Sequence, residues 1–151
     1  MANEFNEHIY RRAAQEHILA AEKLFQSEHY VLGYYIAGTA VECIFRAYRF
    51  RNDPKFESRH DLRKLSVESG FLNNLPPDLY DEIFAATSEV ATRWSNDHRY
   101  RSIDALRSFL NKAGLNRLNG SATIRGSVVE YNANAILEAA TFIVTVGLRQ
   151  W

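Results

Sequence analysis

Tyr-Val-Leu-Gly-Tyr-Tyr-Ile-Ala-Gly-Thr-Ala-Val-Glu-Cys-Ile-Phe-Arg-Ala-Tyr-Arg-Phe, residues 30–50, decides the fold. Wound at 3.6 residues per turn it is apolar on nearly every side, and a helix of that kind belongs in the middle of a bundle rather than on its surface. Its one anomaly is Glu42. A carboxylate inside an apolar run needs a counter-charge, because an unpaired buried charge is expensive. Arg46 stands four residues on, one helical turn away, so Glu42 reads as half of a core salt bridge with Arg46 or another Arg rather than as a catalytic group.

Outward from this helix the chain is helical in both directions. Residues 5–26 carry two apolar rows, Tyr10, Ala14, Ile18, Ala21, Phe25 and beside it Ile9, Ala13, Ala20, Leu24, which make an amphipathic helix with a wide buried face. His17 falls in the second row and has no partner at metal-ligand spacing, so it reads as a packed residue. Asn52-Asp53-Pro54 breaks the central helix, and a polar loop follows to about Arg59. A short helix opens near His60-Asp61 and closes at Gly70. Pro76-Pro77-Asp78 starts another, Leu79 to about Trp94, that ends at Ser95-Asn96-Asp97. Ser102-Ile103-Asp104 opens a helix through Ala113, stopped by Gly114, and a loop runs from Asn116 to Gly126 with Arg117 and Arg125 and no acid. The last segment, Val128 to Leu148, is apolar except for Glu130, Asn132, Asn134 and Glu138. Only ten residues, Ala139 to Leu148, run uninterrupted, short of the roughly 20 that cross a bilayer, so it reads as a buried bundle helix and no membrane is involved.

No alternating strand pattern of useful length and no internal repeat appears. The expected fold is therefore all-α: residues 1–151 as one domain, an antiparallel four-helix-type bundle with short additional helices. The apolarity of the second and last helices further suggests a surface covered by a second subunit, a homodimer.

Composition agrees with an ordinary globular domain: of 151 residues 46% are hydrophobic and 24% charged, with three Pro and seven Gly. A single cysteine, Cys43, forms no internal disulfide, and Met-Ala-Asn-Glu-Phe-Asn-Glu-His lacks the basic start and apolar run of a signal peptide, which points to the cytoplasm. Net charge is zero, so polyanion binding would have to come from local patches. Such patches exist. Residues 65–92 hold five acids and no Lys or Arg, whereas 93–125 hold seven Lys or Arg against Asp97 and Asp104. Gly-rich phosphate loops, Cys/His or His-Glu-x-x-His metal spacing and nucleophile elbows are all missing, which argues against nucleotide hydrolysis and zinc chemistry.

What remains is the run Arg93-Trp94-Ser95-Asn96-Asp97-His98-Arg99-Tyr100-Arg101. Together with Ala40-Val41-Glu42-Cys43-Ile44-Phe45-Arg46-Ala47 and His60-Asp61-Leu62, it makes residues 8–101 resemble the HEPN superfamily of prokaryotic helical domains. The first motif is similar to that superfamily's Ala-Val-Glu second helix, with Arg46 where Lys is more usual. Arg93, His98 and Tyr100 match the Arg-x4-His-x-Tyr form found in toxins paired with a minimal nucleotidyltransferase (MNT) antitoxin. The resemblance implies a metal-independent and cofactor-free endoribonuclease of the toxin or phage-defence type. His98 would move the proton as an RNA 2′-hydroxyl attacks the adjacent phosphate, and Arg93 would stabilise the developing charge. Asn96, Asp97, Arg99 and Arg101 would support the site or contact RNA, and the cleft would be composite across a homodimer. Tyr100 would be the residue that the antitoxin modifies with AMP.

Non-catalytic HEPN proteins offer the alternative, for they carry Trp followed by Arg-Tyr, and Trp94 to Arg99-Tyr100 fits that equally well. There Trp94 fills the core, His98 is incidental, and the domain docks a nucleotidyltransferase or another protein. Geometry adds one constraint. Residues five apart on an unbroken helix point about 140° away from each other. Arg93 and His98 can therefore converge only if the helix ends between them or if they meet across a dimer axis.

Overall fold

The computed structural model describes residues 5–53, 60–118, 122–124 and 126–151, and within them the chain is all-α apart from one minimal hairpin. Four long helices, α1 (Glu7–Gln26), α2 (Tyr30–Asn52), α4 (Pro77–Arg93) and α6 (Val128–Arg149), are joined by the shorter α3 (Leu62–Glu68) and α5 (Ile103–Lys112). Single 3₁₀ turns occupy Phe71–Asn74 and Asn96–Tyr100.

Local chemistry sets these boundaries. Asn6, Asp61, Ser102 and Ser127 each cap a helix through a side-chain oxygen that accepts from the first-turn amides. Pro77 begins α4, where its missing N–H costs nothing. Gly70 leaves α3 at φ 74°, a left-handed conformation that a side chain would resist. Helix α1 starts at Glu7 rather than Phe5, α3 at Leu62, and α4 takes in Pro77 and ends at Arg93. The polar loop read over residues 54–59 lies outside the described residues.

Helix α2 is the axle. Twelve of its residues are buried, and α1, α6, α3, α4, α5 and the two 3₁₀ turns all touch it. Most of its all-round apolarity is thus covered by the chain itself, with Leu32 left half exposed. Two tyrosines fasten it to α6: Tyr34 Oη donates to the Val129 carbonyl at 2.6 Å, and Tyr48 Oη to that of Gly147 at 2.7 Å. Gly38 lies directly beneath the Trp94 indole, where even a methyl group would collide. The α1 face is narrower than its sequence suggests. Ala14 and Ala21 are fully buried, but Ile9 and Ala20 of the second row are exposed.

Residues 116–126, read as a loop, include a two-residue antiparallel ladder, β1 (Arg117–Leu118) with β2 (Ala122–Thr123). Segments this short cannot show alternation. The hairpin matters because it is set beside the α4–α6 seam, where Arg93 emerges.

Candidate functional site

Helix α4 stops at Arg93, Trp94 and Ser95 run extended, and the 3₁₀ turn Asn96–Tyr100 reverses the chain. That break folds His98 back against the end of its own helix. The ring does not meet the Arg93 guanidinium; it meets the Arg93 main chain, with Nε2 2.7 Å from the carbonyl oxygen. The other nitrogen, Nδ1, lies 2.9 Å from Arg101 Nη1. These partners fix the tautomer. A guanidinium can only donate and a carbonyl can only accept, so Nδ1 accepts from Arg101 while Nε2 carries the hydrogen and donates to Arg93.

The imidazole is 0% exposed. Tyr34 and Phe109 stand edge-on to it, their ring centroids 6.0 and 4.8 Å away. Burial pushes its pKa below the ordinary histidine range and the neighbouring Arg101 charge adds to that; the hydrogen bond to the Arg93 carbonyl and the charge of Asp97 act in the opposite sense. His98 is therefore a neutral, doubly hydrogen-bonded ring inside the protein.

Arg93 is held just as firmly, in a different direction. It is 8% exposed. Its Nε donates to Asn132 Oδ1 at 3.0 Å, and Nη1 donates both to the Glu89 carbonyl at 3.1 Å and to Glu89 Oε2 at 2.5 Å. Asn132 is pinned in turn, its Nδ2 donating to the carbonyls of Leu115 and Val128. Arg93 thus ties α4 to α6 and reaches away from the histidine.

The remaining members of the run divide by exposure. Trp94 is buried, and its Nε1 donates to the Tyr35 carbonyl at 3.1 Å. Arg101 also stacks on Phe109, 4.8 Å from the centroid. Asp97 and Arg99 face solvent, and Asn96 is half-buried. Tyr100 is 77% exposed with the Arg99 guanidinium 4.7 Å from its ring centroid.

A second cluster surrounds Glu42, which is 5% exposed. Its Oε1 accepts from Arg46 Nη2 at 2.9 Å and lies 2.6 Å from His60 Nδ1. Among the described residues no group of His, Cys, Asp and Glu is placed to hold a metal ion, and no helix is long and apolar enough to cross a membrane.

Three partners here escape a reading of the sequence. Glu89 carries a weak signal, since it precedes Arg93 by one helical turn, and Asn132 a stronger one, since an amide inside an apolar helix must find hydrogen bonds. The approach of His60 to Glu42, eighteen residues apart, has no local signal. Comparisons of the chain with protein-family models, with curated proteins and with solved structures return no match.

Proposed function

We propose that this chain is a HEPN-like, non-catalytic docking module: an antiparallel helical bundle that pairs with a second copy of itself and binds a protein partner, a nucleotidyltransferase being the class the resemblance names. The observation that carries this reading is the state of His98. A general acid or base needs a nitrogen within hydrogen-bond reach of its substrate. Both nitrogens here are committed to protein atoms behind Tyr34 and Phe109.

Support for docking comes from α4, where Tyr80 and Phe84, one helical turn apart, are large side chains left exposed, Phe84 at 57%.

The endoribonuclease reading keeps one observation in its favour: Tyr100 stands out from a basic turn between Arg99 and Arg101. It requires His98 to give up both hydrogen bonds and reach the surface.

Incubating the purified protein with total RNA in EDTA, beside His98→Gln and Arg93→Lys variants of matched helix content, separates the two. The docking reading expects intact RNA in all three samples. Cleavage by the wild type that disappears in both variants overturns it, and so does AMP added to Tyr100 on co-expression with an MNT protein if that addition silences the cleavage. Sedimentation tests the pairing: a wild-type dimer that Phe84→Asp splits into monomers supports it, and a monomeric wild type removes it.

A further inference from the structure

Between the end of α4, the start of α6 and the hairpin lies an open cavity of about 280 Å³, lined among others by Arg93, Arg117, Leu115, Leu118 and Tyr131. Its deep wall is built. Arg93 is held at Nε by Asn132 and at Nη1 by Glu89, and Asn132 is itself locked by two main-chain carbonyls. Nη2 alone of the three guanidinium nitrogens meets no acceptor among the described residues. The rim adds Arg117, exposed and without an acidic partner there. Counting Glu89, whose carboxylate also borders the space, two arginines face one acid and leave a single positive charge unanswered.

We infer that this cavity binds a small organic monoanion, its oxyanion head between Arg93 Nη2 and Arg117 and its apolar body against Leu115, Leu118 and the Tyr131 ring. Three physical points carry the assignment. A guanidinium fixed by neighbours loses little entropy on meeting an oxyanion, so the donor is preorganised. One net positive charge matches a monoanion, and the Glu89 carboxylate disfavours a second negative charge. The volume, just under the roughly 300 Å³ at which ligand sites usually begin, suits a small molecule, and the mainly polar lining of Arg93, Arg117 and Asn132 is interrupted by apolar patches at Leu115, Leu118 and the Tyr131 ring. The inference does not depend on the docking reading, since the cavity lies at the hairpin end of α4, whereas the exposed Tyr80 and Phe84 lie toward its other end.

The test is a titration of the full-length protein, followed by amide and arginine side-chain NMR, with benzoate, with benzenesulfonate and with neutral benzyl alcohol. The expected result is saturable shifts at Leu118, Tyr131, Asn132 and Arg93 Nε–H with one or both anions and none with the alcohol. Arg117→Ala removes an exposed side chain that holds no other element, so the fold is kept, and it should weaken anion binding by about fivefold or more. Whether benzoate or benzenesulfonate binds more tightly identifies the head group. Three outcomes overturn the proposal: no saturable shift with either anion, equal binding of benzyl alcohol, or unchanged affinity in Arg117→Ala.

Discussion

Two corners of this bundle each join a histidine and an arginine in one hydrogen-bond cluster, and they are built in opposite ways. At the α2 corner the centre is a buried carboxylate, Glu42, which gathers Arg46 and His60; the His60 side chain is 50% exposed, and its second ring nitrogen has no partner among the described residues. At the α4 corner the centre is the histidine itself. His98 is enclosed, with Arg101 on one nitrogen and a main-chain carbonyl on the other. Residue types alone would assign chemistry to the second corner. Burial and hydrogen bonding enclose that imidazole and leave the accessible one at the first.

This contrast can be broken by mutation. The largest effect is expected at the sealed corner: His98→Ala removes a fully buried ring, opens a cavity, and strands the Arg93 carbonyl and the Arg101 guanidinium. A loss of about 3–4 kcal/mol should appear in urea unfolding. Glu42→Ala is expected to cost less, about 2 kcal/mol, because Arg46 is partly exposed and reaches water. His60→Ala should cost about 1 kcal/mol or less, since half of the ring is already solvated. If His60→Ala proves as damaging as His98→Ala, the contrast fails.

Acidity sharpens the same comparison. The unfolded chain takes up a proton on this imidazole near pH 6.5 or so, whereas folded His98 resists it, its pKa lowered chiefly by burial. Below the unfolded value the unfolded state therefore binds more protons, and stability falls as pH drops, until the folded ring also protonates. The slope attributable to His98 is at most about 1.4 kcal/mol per pH unit. Urea midpoints measured from pH 7.5 to 5 should fall more steeply for the wild type than for His98→Gln. The smallest expected effect is at the surface. Tyr100→Ala, which removes an exposed ring in contact with Arg99, should move stability by no more than about 0.5 kcal/mol.

Much of the architecture was legible because it rests on local signals. An all-round apolar run named α2 as the central helix, and Asp61, Ser102, Pro77 and Gly70 announced helix ends through chemistry confined to a single turn. Ser95-Asn96-Asp97 announced the end of α4, while helical geometry left a helix break and a dimer axis both open as ways for Arg93 and His98 to meet. What could not be read depends on distance. Arg93 and Asn132 are 39 residues apart, and the aromatic walls of His98 come from Tyr34 and Phe109 on separate helices. Spacing along the chain brought Arg93 and His98 into one motif, but only the fold shows that their polar groups point to different places. The hairpin was hidden for another reason: two-residue strands are too short to show a period.

The protonation state of His98 tests this view most directly, and long-range ¹H–¹⁵N NMR of the histidine rings reads it. The expected result is a neutral ring with hydrogen on Nε2, unchanged from pH 8 to pH 6 and still unchanged when RNA is added. A ring with hydrogen on Nδ1, or one that titrates near the ordinary value of about 6.5, would contradict the sealed joint and return His98 to candidacy as an acid–base group.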